Sequence, residues 1–113
     1  MSRYIVTGGK SLSGEISLRG AKNASYKQII ASMLTSETVQ LLNVPQISDV
    51  KITQSIARQL GSEIIETGEH CLSITTQNIK SSTVPFGTGE KSRTSFIFAA
   101  PLLIRTKKAI TER

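Results

Sequence analysis

The chain has 113 residues, which is enough for one small domain but not for two. Aromatic residues make up only 4% of it and Trp is absent, so its core must be built from aliphatic side chains. The net charge of +6 suits either a phosphate-bearing partner or a solvated basic surface, but the basic residues are not interleaved with aromatic ones, which argues against nucleic-acid binding.

The first part of the chain is expected to alternate between short strands and one helix. Strands are predicted at residues 4–6, at residues 15–18, where polar and apolar side chains alternate, and at residues 38–42. A helix is predicted from about Lys22 to Thr35, because apolar side chains recur there at helical spacing. Its apolar stripe consists of Tyr26, Ile29, Ile30, Met33 and Leu34.

A second helix and a strand pair are predicted next. Ser48 is expected to cap this helix, Asp49 to lie in its first turn and Gly61 to end it. Residues 63–66 and 71–74 then alternate in polarity on either side of a short turn, which predicts a pair of strands.

The last predicted elements are a polar loop over residues 77–89 and a helix over roughly residues 91–104. Pro101 is expected to kink this helix or to mark a local irregularity. One side of the helix should carry Phe96, Ala100 and Leu103. The element order βαβ, αββ and α predicts one compact α/β (α+β) unit over residues 1–113.

A candidate anion site lies where the second predicted strand turns into the first helix, at residues 20–24 (Gly-Ala-Lys-Asn-Ala). Lys22 and Asn23 fall in the first helical turn, where unpaired N–H groups and the helix dipole favour an anion. A lysine there opposes the dipole, so an anionic ligand would account for it. A plain turn with an exposed lysine is the alternative.

Several other site classes are excluded or disfavoured. Cys71 is the only cysteine, so no intramolecular disulfide and no CxxC metal motif can form, and we expect no metal cluster. Cys71 lies on an alternating strand and is expected to be a small core residue, and His70 lies at a hairpin tip without a catalytic partner. No signal peptide or membrane span is recognisable, so a cytoplasmic protein without membrane contact is expected.

Four stretches together resemble the UDP-N-acetylglucosamine 1-carboxyvinyltransferases, which are enolpyruvyl transferases, over about residues 4–105. They are Gly8-Gly9-Lys10 with Leu12-Ser13-Gly14-Glu15, Gly20-Ala21-Lys22-Asn23-Ala24, Leu42-Asn43-Val44-Pro45 with Ser48-Asp49-Val50, and Arg93-Thr94-Ser95 followed by Ala100-Pro101-Leu102-Leu103. The sister family, the 3-phosphoshikimate 1-carboxyvinyltransferases, ranks second because it usually shows Ser-Lys where this chain has Lys22-Asn23.

The resemblance implies both a fold and a reaction. The family fold is an inside-out α/β barrel of βαβαββ units, of which this chain would supply an incomplete, N-terminal part: one unit and the start of the next. The family transfers the enolpyruvyl group of phosphoenolpyruvate to UDP-N-acetylglucosamine in peptidoglycan synthesis, without metal or redox cofactor. By resemblance, Lys22 contacts phosphoenolpyruvate, Asn23 lies beside it, and Arg93 binds the UDP-sugar. Asp49 would either hold a lysine in place or serve only as a helix-start residue.

The chain also departs from the family pattern. The glycine-rich loop that carries the family's general acid is not found, so no catalytic residue is assigned, and the chain alone is expected to be inactive. The alternative is a non-catalytic, truncated or split-gene product with residual binding of UDP-sugar or phosphate. In that case the remainder of the enzyme would be a separate partner chain.

Overall fold

A computed structural model describes residues 2–84 and 96–111 of the chain. The helices are α1 (Lys22–Ala31), α2 (Ser48–Leu60) and α3 (Ala99–Thr106), and a 3₁₀ turn (Ser32–Leu34) continues α1. The strands are β1 (Thr38–Leu41), β2 (Glu63–Gly68), β3 (Cys71–Thr75), β4 (Thr83–Val84) and β5 (Ile110–Thr111). This mixture of helices and strands agrees with the α/β (α+β) class expected for an incomplete enolpyruvyl transferase domain. None of these helices is long and apolar enough to cross a membrane.

An antiparallel sheet with the strand order β1-β3-β2 forms the centre of the fold. Ile74 of β3 lies between Val39 and Ile64, and this row of apolar side chains faces the core. The opposite face carries polar residues, among them Thr38 and Thr75, whose hydroxyl oxygens are 2.8 Å apart. One buried and one polar face is the arrangement that strict alternation predicts for an antiparallel sheet.

The predicted strand pair and the predicted second helix are confirmed. The pair is β2 and β3, joined by a tight turn in which His70 has a φ of 60°. Gly61 ends α2 with a φ of 129°, a conformation that favours glycine. The predicted cap was wrong by one residue, because Ser48 is already the first helical residue and Ile47 precedes it without a side-chain cap.

The first predicted helix is confirmed, with its last turn tightened into the 3₁₀ form. Ile29, Ile30 and Met33 of the predicted stripe are buried in the core, whereas Leu34 is 46% exposed. The buried face of α2 adds Val50, Ile56, Ala57 and Leu60 to the same core. As expected from the composition, this core is almost wholly aliphatic.

The two strands predicted before α1 were wrong. Residues 2–19 form no strand, and their apolar side chains are largely exposed: Tyr4, Ile5, Val6, Leu12, Ile16 and Leu18. Alternation shows that a segment can bury one face, but a strand also needs a neighbour with which to exchange hydrogen bonds. Within the described residues no strand lies alongside this segment.

The last helix differs from its prediction in the face that it buries. Residues 85–95, including the end of the predicted loop, the start of the predicted helix and Arg93, lie outside the described residues. A turn at Phe98 interrupts the helix just before Pro101, which has no N–H to donate to the carbonyl of Ile97, so the predicted irregularity is confirmed. Phe98 and Leu102 are buried, while the predicted side is exposed: Phe96, Ala100 and Leu103.

Candidate functional site

The start of α1 is joined to the loop that leads from β1 into α2. The N–H of Gly20 donates to the carbonyl of Asn43 at 3.0 Å, and a Cβ at residue 20 would collide with that carbonyl. Asn43 itself has a φ of 57°, and its side-chain amide donates to the carbonyl of Leu18 at 3.5 Å. The glycine of the predicted motif is therefore required for close approach of two backbone segments.

The same loop is also attached to the β2–β3 hairpin. The N–H of Val44 donates to the carbonyl of His70 at 2.8 Å, and the ring Nδ1 of His70 lies 2.9 Å from the carbonyl oxygen of Val44. Through these two contacts His70, at the hairpin tip, binds the backbone of Val44 and so has a structural role. The loop before α2 is thus held from both sides, by Gly20 and by His70, which fixes where α2 begins.

Lys22 and Asp49 form an ion pair between the first turns of α1 and α2, with 3.2 Å between Nζ and Oδ2. Their side chains are 50% and 27% exposed, so the pair contributes little to stability. The two helices pack against each other, and the ion pair marks where the ammonium group lies between their first turns. Asp49 lies in the first turn of α2 and also contacts a lysine, so both interpretations of this residue are compatible with the geometry.

Asn23 and the backbone complete the arrangement at the start of α1. The hydroxyl of Tyr26 donates to Oδ1 of Asn23 at 3.2 Å. No side chain caps α1 and its first turn contains no acidic residue, so the first N–H groups have no partner within the helix. An ammonium group, an amide and free N–H groups at one helix start can hold a phosphate or a carboxylate.

The other residues that the sequence singles out lie apart from this arrangement or outside the described residues. Cys71 is half-buried at the start of β3, beside the hairpin turn. Arg93 is not among the described residues, so its position relative to Lys22 stays a prediction. In residues 2–84 and 96–111, no three His, Cys, Asp or Glu side chains are grouped so that they could hold a metal ion.

Comparison with known proteins identifies the family. A sequence profile for EPSP synthase (3-phosphoshikimate 1-carboxyvinyltransferase) matches residues 6–111, nearly the whole chain. The chain belongs to the EPSP synthase family. This assignment confirms the enolpyruvyl transferase resemblance drawn from the four stretches, and it places the candidate anion site within the matched region.

Curated relatives within this family carry the name UDP-N-acetylglucosamine 1-carboxyvinyltransferase. One from Gluconobacter oxydans (strain 621H) is 39% identical over 96% of this chain and 26% of its own length. One from Orientia tsutsugamushi (strain Boryong) is 42% identical over 93% of this chain and 25% of its own length. One from Treponema pallidum (strain Nichols) is 40% identical over 97% of this chain and 26% of its own length. The chain therefore spans about a quarter of the length of the curated relatives it matches.

Arg105 of α3 is a residue that the sequence analysis missed. Its Nη1 donates to the carbonyls of Met33, Thr35 and Thr76, and its Nη2 donates to the carbonyl of Gln77 at 2.9 Å. The guanidinium group thus joins the end of the 3₁₀ turn to the end of β3. Every residue has a backbone carbonyl, so the sequence pattern cannot indicate which carbonyls accept hydrogen bonds from an arginine.

We expect Gly20→Ala to destabilise the chain by about 1–2 kcal/mol, because the added Cβ would force apart the Gly20 and Asn43 backbones. Urea unfolding followed by circular dichroism measures this change. Gly8→Ala is the matched control, since a Cβ there meets nothing within 4 Å. Equal losses for both variants would show that the close approach at Gly20 is not the cause.

Proposed function

We propose that the chain supplies part of the substrate-binding surface of a UDP-N-acetylglucosamine 1-carboxyvinyltransferase. The reaction transfers the enolpyruvyl group of phosphoenolpyruvate to UDP-N-acetylglucosamine in peptidoglycan synthesis, with release of phosphate. The proposal rests above all on one observation: Lys22 and Asn23 lie together at the uncapped start of α1. The names of the relatives, at about 40% identity over nearly all of this chain, support UDP-N-acetylglucosamine as the acceptor.

In this proposal the start of α1 binds phosphoenolpyruvate. The ammonium group of Lys22 and the first N–H groups of α1 face the phosphate or carboxylate, and Asn23 adds an amide donor beside them. Asp49 keeps the lysine head at the helix start, so less side-chain entropy is lost when the anion binds. The planar guanidinium of Arg93 is assigned to the diphosphate of the UDP-sugar. No catalytic acid is assigned to this chain.

A chimeric enzyme tests the proposal directly. The segment of the Gluconobacter oxydans relative that aligns with this chain is replaced by this chain, and phosphate release from phosphoenolpyruvate is measured with UDP-N-acetylglucosamine. We expect turnover by the chimera and none by the isolated chain. A folded chimera that releases phosphate with shikimate 3-phosphate instead would favour the sister activity, for which the family profile is named. A folded chimera that is inactive with both acceptors would favour the non-catalytic alternative.

A second experiment asks whether the rest of the enzyme can act as a separate chain. This chain is mixed with the remaining three quarters of the Gluconobacter oxydans relative, expressed as its own polypeptide. Phosphate release by the mixture, but by neither piece alone, would support the split arrangement with a partner chain. We also propose that the protein acts in the cytoplasm, because its single cysteine cannot form the disulfide framework that is common in secreted proteins.

The two proposed binding residues should affect different substrates. In the chimera we expect Lys22→Ala to raise the KM for phosphoenolpyruvate by about tenfold or more, which corresponds to about 1.4 kcal/mol, and to change the KM for UDP-N-acetylglucosamine less. Arg93→Ala should show the reverse. Lys27→Ala is the matched control, because Lys27 lies exposed on α1 and makes no described ion pair. Equal losses for both substrates would contradict these role assignments.

A further inference from the structure

Tyr26 lies one turn after Asn23 on α1 and reaches back to it. Helical side chains lean towards the N-terminus of their helix, so a tyrosine three residues further along brings its hydroxyl over the first turn. That hydroxyl donates to Oδ1 of Asn23 at 3.2 Å. Tyr26 is only partly exposed, so packing restricts the positions of its ring. It also lies four residues after Lys22, on the same side of the helix.

This hydrogen bond anchors the Asn23 amide at the start of α1 with its nitrogen facing outward. The amide has an oxygen that accepts and a nitrogen that donates, and a rotation of its last bond exchanges the two. The phenol holds the oxygen, and within the described residues the nitrogen has no other protein partner. A phenol hydroxyl accepts as well as donates, so its role is to hold the amide in place, while an anionic ligand selects the nitrogen as the group that faces it. Without the phenol the amide loses this anchor and spends less time in the position that meets the ligand.

We propose that Tyr26 is a positioning residue that holds the Asn23 amide at the start of α1, where Nδ2 donates to the substrate. The inference rests on the proposed function, and it adds that the substrate group facing Asn23 is a hydrogen-bond acceptor, such as a carboxylate or phosphate oxygen. Tyr26 acts through Asn23 and does not touch the substrate. The Tyr26 hydroxyl, rather than the ring, is the group that positions Asn23.

The test is Tyr26→Phe in the chimera, which removes the hydroxyl and keeps the ring. We expect the kcat/KM for phosphoenolpyruvate to fall about fivefold, the net worth of one hydrogen bond, mainly through KM and without a change in thermal midpoint. The matched control is Tyr4→Phe, because Tyr4 is 93% exposed on the segment before α1. An unchanged kcat/KM for Tyr26→Phe would overturn the inference.

A double-mutant cycle with Asn23→Ala separates positioning from direct contact. If Tyr26 acts only through Asn23, then Tyr26→Phe has no further effect once Asn23 is alanine. A full fivefold loss in the Asn23→Ala background would mean that the phenol contacts the substrate itself, which overturns the inference while leaving the proposed function intact. If Lys22→Ala and Asn23→Ala both leave the KM for phosphoenolpyruvate unchanged, the proposed binding site fails and the inference fails with it.

Discussion

Replacing Phe98 by alanine is expected to lower the free energy of unfolding of the 113-residue chain by about 3–5 kcal/mol. Phe98 is fully buried and is the largest of the fully buried side chains in the described residues. It stands at the turn just before α3, which packs against the 3₁₀ turn after α1. Its loss would leave a cavity where these elements meet. A domain of this size has only about 5–15 kcal/mol of stability, so the change would be large.

Phe96→Ala provides the matched control for this prediction, since the same side chain is removed two positions earlier. Phe96 is 67% exposed, so its replacement should change the free energy of unfolding by no more than about 0.5 kcal/mol. Urea unfolding followed by circular dichroism suits both variants, because the chain has no Trp. A larger loss for Phe96→Ala than for Phe98→Ala would mean that α3 buries the face carrying Phe96, as the sequence pattern suggested.

Local patterns predicted α1, α2 and the β2–β3 hairpin because each of these elements satisfies most of its backbone hydrogen bonds with near neighbours. The helix end at Gly61 could also be predicted, because the positive φ there depends on one residue and favours glycine. The strands predicted before α1 depended on a distant neighbour, which alternation cannot supply. β4 and β5 pair in parallel as a separate two-stranded sheet, and this pair was not predicted because two strands of two residues each carry no periodic signal.

The buried face of α3 was misassigned because two faces of this helix carry apolar side chains and the wrong one was chosen. Phe98, Pro101, Leu102 and Arg105 recur at the i, i+3, i+4 and i+7 spacing of the face turned towards the protein. Local sequence could predict that the helix would be irregular. It could not predict which face the irregular helix would bury, since this depends on what lies opposite.

In the candidate site too, local features could be predicted from the sequence and contacts between distant residues could not. The motif around Lys22 and Asn23 could be located in the sequence, because a strand, a glycine and a helix start are local features. The partners of that motif are not local: Asn43 supports Gly20 from the loop after β1, and Asp49 contacts Lys22 from the next helix. The family resemblance raised a lysine contact as one interpretation of Asp49, whereas periodicity alone indicated only a helix start.

Arg105 gives the second large expected effect. We expect Arg105→Ala to lower the free energy of unfolding by about 2–4 kcal/mol, since a charged guanidinium group then no longer donates to four backbone carbonyls. One of these carbonyls belongs to Thr76, which is fully buried in the presence of Arg105. The 3₁₀ turn and the end of β3 would also lose their connection through α3.

Arg105→Lys and Arg58→Ala distinguish this connection from a general effect of charge. A lysine keeps the charge but cannot reach carbonyls on both segments with a rigid, planar fork, so we expect it to recover less than half of the loss. Among the described residues Arg58 makes one side-chain hydrogen bond, from Nη2 to the carbonyl of Ile64 at 3.2 Å, so Arg58→Ala should cost about 1 kcal/mol. Urea midpoints of all three variants in the same buffer measure these differences. Full recovery by lysine would show that charge alone, rather than the four-carbonyl geometry, stabilises this part of the fold.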